Sequence, residues 1–322
     1  MITIEQIIGQ TLTELQPEDF LGVTKITYGV FAYNKNLATV NMPDNITSIG
    51  HSAFYMCGIT NLHLSESLTT VETDAFYASI NNLQNLILPE KLVEIGVSAF
   101  SGYKGPISIH KNILNIKESA FSGISSLDTS KMNNKCRIDA ASFCSILKPT
   151  EPNSLQYRNE WYKSLPDGPI TLARGEILYR YKGTAGLQEC PSTVKTMGER
   201  CCMYLENEHS STATQYTIPD NVEYVQKNPF AFQSTLTKIV VGANVSKIEH
   251  NLVPHEKVTT LVFRQPQDLI VDLPTPGEGT GMAYYKDSRA VTIYTDNDSI
   301  KNYGWATDNV TATFKPLSEA PA

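Results

Sequence analysis

The chain has 322 residues, a formal net charge of -7, 41% hydrophobic residues and 18% charged residues. That length supports one large or two ordinary domains with a packed core, and the acidic balance excludes a basic nucleic-acid-binding stripe. No stretch reaches the roughly 18 apolar residues of a membrane-inserting span, and the six cysteines hold no C-x-x-C pair and are too sparse for a disulfide framework, so they read as free buried thiols.

Residues 1–20 place Ile4, Ile7, Ile8, Leu12 and Leu15 on one face of a helix. This helix is read as an N-terminal cap, or alternatively as a homo-oligomerisation interface. It is not a secretory signal, because no basic region precedes it and Glu5, Gln6 and Gln10 interrupt its apolar part.

Residues 21–144 repeat one nine-residue segment, seen in full as "ITSIGHSAF", Ile46 to Phe54. Its ninth residue is Phe31, Phe54, Phe76, Phe100, Phe121 and Phe143, at spacings of 23, 22, 24, 21 and 22. The fourth residue is Ile26, Ile49, Val71, Ile95, Ile116 and Ile138, and the eighth is small or short, from Val30 and Ala53 to Ser142. Between copies runs a second phrase, "LATVNMPDN", matched by "LQNLILPEK" (Leu83, Leu86, Leu88, Pro89) and by "ITNLHLSES". Its alternating apolar residues predict a strand, ended by the proline or serine. A unit of about 22 residues cannot bury its own apolar face. Stacked units can, with Ile on Ile and Phe on Phe in continuous columns. The reading is a solenoid with short parallel strands, and its phenylalanines are core.

The rhythm breaks at 145–190, a connector with a Pro-Asp-Gly turn and a hairpin strand, "EILYRYKG". It resumes over 191–265 with ninth residues Cys202, Phe230 and Val253, and fourth residues Met197, Val225 and Ile248. Residues 266–322 form a C-terminal cap: a strand through Val291 and Ile293, a turn at Asp296–Asp298, a short helix through Ile300, Tyr303 and Trp305, and a last strand, "VTATFKPL".

Catalytic, cofactor and metal motifs are absent from the sequence. There is no phosphate-binding loop and no H-x-x-x-H or H-E-x-x-H pair. "GEGTG" opens no helix, and "TDND" lacks the later Gly and Glu of a calcium loop. His51 and His250 share the sixth position of the segment, a variable exposed slot, and His250 with His255, Glu249 and Glu256 reads as a solvated cluster. Outward positions of the strand phrases, Asn41, His63, Ile87, Ser108, Thr217 and Val240, are candidates to bind a ligand. So are the connector's aromatic residues Tyr157, Trp161, Tyr162, Tyr179 and Tyr181, unless they pack the connector against the solenoid.

"NITSIGHSAF" with its upstream strand phrase resembles the BspA-type leucine-rich repeat, over residues 20–143 and 190–265. The chain departs from the common leucine-rich consensus in lacking an asparagine ladder. The resemblance implies a curved solenoid without enzymatic activity, displayed on an exterior surface and binding a surface glycan or protein. Repeats of this type also occur in phage-encoded proteins. A virion protein needs no export signal, so a virion-surface component, in contact with other virion proteins, is favoured over a secreted or bacterial cell-surface adhesin.

Overall fold

The computed structural model describes residues 12–139, 142–143, 164–166, 168–182, 189–202, 213–231, 233, 235–249, 251–253, 257–266, 270–272, 289–302, 305 and 310–322. The chain divides into two compact units, Met1–Leu165 and Pro166–Ala322, so the boundary falls inside the predicted connector.

In the first unit the strands are β1 (Glu14–Leu15), β2 (Lys25–Ile26), β3 (Thr39–Asn41), β4 (Ser48–Ile49), β5 (Asn61–His63), β6 (Thr70–Val71), β7 (Glu94–Ile95), β8 (Pro106–Ser108), β9 (Asn115–Ile116), β10 (Ser126–Asp128) and β11 (Arg137–Ile138). Each repeat contributes to two walls. The nine-residue segments form one sheet, ordered β11-β9-β7-β6-β4-β2 and parallel throughout. Its register places Ile26, Ile49, Val71, Ile95, Ile116 and Ile138 in one row. All six are buried. Two-residue strands suffice because each presents one β-branched or equivalent apolar residue inward and one polar residue outward.

The phenylalanines form the second column. Successive rings from Phe31 to Phe143 stack at 5.1, 5.1, 5.5, 5.4 and 6.0 Å, within 19° of parallel. The eighth residues Ala53, Ala75, Ala99, Ala120 and Ser142 are fully buried beside them. Between the isoleucine row and the phenylalanine column the backbone must reverse direction. It does so at the seventh position, where Gly29, Ser52, Asp74, Ser98 and Ser119 all have φ between 52° and 61°. This left-handed conformation favours glycine and short polar side chains. The turn carries its own ladder: the Phe31, Phe54, Phe76 and Phe100 N–H groups donate to the Ala53, Ala75, Ala99 and Ala120 carbonyls.

Asparagines form no continuous ladder, but four of them bond a backbone carbonyl one coil back. Asn45 Nδ2 donates to the Val23 carbonyl one coil back at 2.9 Å, and Asn112 Nδ2 to the Glu90 carbonyl at 2.8 Å. In the second unit Asn221 reaches Val194 at 2.7 Å and Asn244 reaches Asp220 at 2.8 Å. These asparagines precede the nine-residue segment, outside the strand phrase where the common consensus places them.

The N-terminal expectation is corrected at its end. Glu14 and Leu15 pair in parallel with Thr39 and Val40, so Leu15 is buried from a strand and not from a helix. A 3-10 helix follows at Pro17–Phe20, and its start is held by the Gln16 N–H donating to Asp19 Oδ2 at 2.8 Å. Ile4, Ile7 and Ile8 lie outside the described residues.

In the second unit the strands are β12 (Gly168–Leu172), β13 (Ile177–Lys182), β14 (Thr196–Met197), β15 (Gln215–Ile218), β16 (Tyr224–Val225), β17 (Lys238–Val241), β18 (Lys247–Glu249), β19 (Thr260–Phe263), β20 (Ile270–Asp272), β21 (Arg289–Tyr294) and β22 (Val310–Lys315). One wall is ordered β12-β13-β14-β16-β18-β20 and the other β15-β17-β19-β21-β22. The predicted hairpin is β12 antiparallel to β13, and β13 then leads the parallel rows through Leu178, Met197, Val225 and Ile248. The C-terminal helix is a 3-10 helix, Asp298–Asn302, with Ile300 and Trp305 buried behind it and Tyr303 outside the described residues.

Candidate functional site

The lateral wall of the first unit is interrupted. Strands β1, β3 and β5 form one parallel sheet and β8 and β10 another. Between them lies the predicted strand phrase Leu83–Pro89, which forms no strand. Toward β8 the place of a ladder bond is taken by Tyr103. Its side chain is fully buried, and its hydroxyl accepts from the Leu86 N–H at 3.0 Å and donates to the Pro106 carbonyl at 3.0 Å. A phenol thus stands where a backbone bond would join the two segments, and no backbone hydrogen bond crosses from 84–88 to either sheet. Gly105 makes room for it, since a Cβ there would lie 2.2 Å from the Tyr103 oxygen. The spacing of 24 between Phe76 and Phe100, the longest in the block, supplies the extra chain.

Over this wedge lies a groove of about 600 Å³, lined by Asn85, Ile87, Ser108, His110, Asp128 and Lys131 among others. Ile87 is 73% exposed, an apolar side chain presented outward from the break. Asp128 Oδ2 accepts from the Ser108 hydroxyl at 3.1 Å and its Oδ1 from the Ser130 N–H at 2.9 Å. The Ser130 backbone bond, helped by the Ser130 and Ser108 hydroxyls and by Lys131, holds the Asp128 carboxyl below its ordinary range. The groove therefore carries a fixed negative charge beside Lys131. His110 is buried, with Nδ1 accepting from the Asn112 N–H at 3.3 Å and Nε2 2.9 Å from the Pro89 carbonyl. An accepting Nδ1 leaves the proton on Nε2, so this imidazole is a structural brace.

The structure brings together some of the candidates and separates others. Ile87 and Ser108 share the groove. Asn41 and His63 are cross-strand neighbours on the adjacent sheet, and Asn41 Nδ2 is held by Gln16 Oε1 at 2.9 Å. Thr217 is exposed on β15 of the second unit. Val240 is buried, contrary to its expected outward position, because β17 buries three successive residues, Ile239 to Val241. Tyr179 and Tyr181 are also buried, at 1% and 0% exposure, and the Tyr181 and Tyr216 hydroxyls lie 3.2 Å apart. Neither ring is presented to solvent. Tyr157, Trp161, Tyr162, His250, His255 and Glu256 lie outside the described residues. Glu249, read as part of a solvated cluster, is buried and accepts from the Tyr224 hydroxyl and the Lys227 N–H. Sequence reasoning missed Tyr103, His110, Asp128 and Lys131, for which the long Phe76–Phe100 spacing was the available signal.

Among the described residues no group of three or more His, Cys, Asp or Glu could hold a metal ion, and no helix is long and apolar enough to cross a membrane. Cys57, Cys136, Cys190, Cys201 and Cys202 are thiols outside any disulfide. Burial pushes the Cys57 thiol up to about 11 and the Cys190 thiol up to about 12, which keeps both in the unreactive protonated form.

Two stacked parallel walls, a repeated coil of 21–24 residues and columns of isoleucine and phenylalanine define a leucine-rich-repeat solenoid. The family description "BspA type Leucine rich repeat region" matches residues 23–150 and 187–270, in six copies. The chain belongs to the BspA-type leucine-rich-repeat family. Solved structures similar to it include a leucine-rich repeat protein from Bacteroides ovatus, with 17% identity over 92% of this chain and 77% of that one, and a TM-score of 0.41. Another, from Eubacterium ventriosum, has 19% identity over 93% and 72%, with a TM-score of 0.37. A leucine rich cell surface protein from Faecalibacterium prausnitzii has 16% identity over 84% and 73%, with a TM-score of 0.26. No curated protein sequence matches the chain.

Proposed function

We propose that this is a non-enzymatic binding protein displayed at an exterior surface, and that the groove over Tyr103 holds its ligand. The single observation behind the reading is the interrupted lateral wall: a buried phenol opens the outer sheet while the isoleucine and phenylalanine columns beneath run on unbroken. An exposed apolar anchor, Ile87, with Asp128 and Lys131 at its side, suits a protein contact better than catalysis. BspA-type repeats are adhesin-like surface modules, which agrees with this reading.

The surface we propose is that of a phage virion, where the protein would contact the bacterial or host surface. A secreted or surface-attached bacterial adhesin is the alternative. Mass spectrometry of purified particles, set against surface-labelled bacterial cells, decides between them. For the groove, the measurement is retention of the purified chain on intact bacterial cells. Ile87→Asp and Lys131→Glu should each weaken it. Undiminished retention of both variants would sink the assignment.

A further inference from the structure

In the second unit the sixth position, two residues beyond the apolar row, carries charge. Leu178, Met197 and Val225 stand in register, so Arg180, Glu199 and Lys227 follow one another in successive coils. Glu199 lies 3.7 Å from Lys227 Nζ and 3.7 Å from Arg200 Nε. Glu249 accepts from the Tyr224 hydroxyl and the Lys227 N–H. Both buried carboxylates are thus engaged. Arg180 is fully buried, and its Nη1 donates to the Arg200 carbonyl. Its guanidinium carbon lies 5.4 Å from the centre of the Tyr179 ring. Among the described residues Nε and Nη2 have no hydrogen-bond partner, and no carboxylate forms an ion pair with Arg180.

A buried lysine escapes such a position by losing a proton, but arginine keeps its charge at every accessible pH. A buried charge without a counter-ion is strongly destabilising. The Tyr179 ring faces the cation and leaves its edge donors unsatisfied. The network sets three cations, Arg180, Arg200 and Lys227, against two carboxylates, Glu199 and Glu249, which leaves one positive charge in excess. Nε and Nη2 share one edge of the planar guanidinium. That edge meets a carboxylate side-on, through two parallel charge-assisted bonds.

We propose that Arg180 holds a small monocarboxylate anion inside the second unit, bound side-on through Nε and Nη2. A monovalent anion neutralises the one charge in excess, whereas a divalent one such as sulfate overshoots it. Chloride is a single centre and does not match two parallel N–H bonds. The inference does not rest on the groove over Tyr103, which belongs to the first unit.

The test is equilibrium urea unfolding of the full chain in sodium formate, with sodium chloride and sodium sulfate at the same ionic strength as controls. Reaching each point from both the folded and the unfolded side makes the result independent of how fast an ion enters an enclosed site. Formate should raise the urea midpoint above its value in either control. Once the site is filled, each tenfold rise in formate should multiply the folding constant about tenfold, or about 1.4 kcal/mol. In the chain labelled with nitrogen-15 arginine, one Nε–H resonance should move downfield as formate is added, and it should be absent from Arg180→Met. Arg180→Met should also lose the formate dependence. Arg180→Lys keeps a cation without the two-pronged edge and should lose it too, which preserves the test should Arg180→Met not fold. Three results would overturn the proposal: no rise in formate over the controls, an equal rise in chloride or sulfate, or an unchanged formate dependence in either variant.

Discussion

The two units use one coil plan with different interiors. In the first, the ninth-position column is phenylalanine throughout, and the buried polar residues described there are Ser65, Ser79, His110 and Ser142. In the second, that column is Cys202, Phe230 and Val253, and the buried set includes Arg180, Glu199 and Glu249. The two carboxylates are partnered, while Arg180 donates through Nη1 to the Arg200 carbonyl and its Nε and Nη2 have no hydrogen-bond partner among the described residues. Tyr224 and Lys227 bond Glu249, while Lys227 Nζ and Arg200 Nε each lie 3.7 Å from Glu199. Identical rungs stack by repetition, whereas unlike rungs must each be matched to their neighbours by side-chain chemistry. Buried carboxylates held in this way add little net stability over an apolar core of equal volume, but they are sensitive to loss of any partner.

Substitutions sharpen that contrast, beginning with the largest expected effect. Phe76→Ala removes a ring stacked on both sides and should destabilise the first unit by about 3–5 kcal/mol, read from urea midpoints with hydrogen exchange to localise the loss. Val253→Ala in the second unit should cost only about 1.5–2.5 kcal/mol, because fewer buried methyl groups are lost. Equal losses at the two sites would erase the difference drawn between the columns. Tyr224→Phe leaves a buried Glu249 oxygen without its phenol donor and should cost about 1.5–3 kcal/mol. The equivalent test in the first unit is Tyr103→Phe, which unpairs the Leu86 N–H and the Pro106 carbonyl together and should cost about 1–3 kcal/mol. Asn45→Ala removes its side-chain bond to the Val23 carbonyl one coil back, and a loss of about 0.5–1.5 kcal/mol is expected by thermal melting.

The sequence revealed the repeat because packing demands the same residue at the same place in every coil. Ile49 and Phe54 could be assigned to the core from six aligned copies alone. The strand pattern misled at Leu83–Pro89, where alternation was correct but a tyrosine 17 residues after Leu86 took the backbone bond. Long-range substitution of a side chain for a ladder bond leaves no local periodicity. Tyr179 and Tyr181 pointed the other way. Their aromatic composition suggested a surface, whereas β13 is flanked by β12 and β14 and both rings are buried. The left-handed seventh position, Gly, Ser or Asp in the first five copies, acquires meaning only with the turn geometry.

The Tyr103 wedge has a mechanical consequence. Bonds between coils run along the axis of the first unit, so a pull along that axis loads them coil by coil. At most coils both walls share the load. Around Leu86 the lateral wall is held only by the Tyr103 phenol toward Pro106 and by no backbone bond toward β5, which makes this coil the first to yield. Optical-tweezer extension of the first unit should show an early rip of a few coils there. Gly105→Ala, which crowds the phenol, should lower its force. A binding groove set on the weakest rung would open under tension from its own ligand, turning a rigid shelf into a strain gauge.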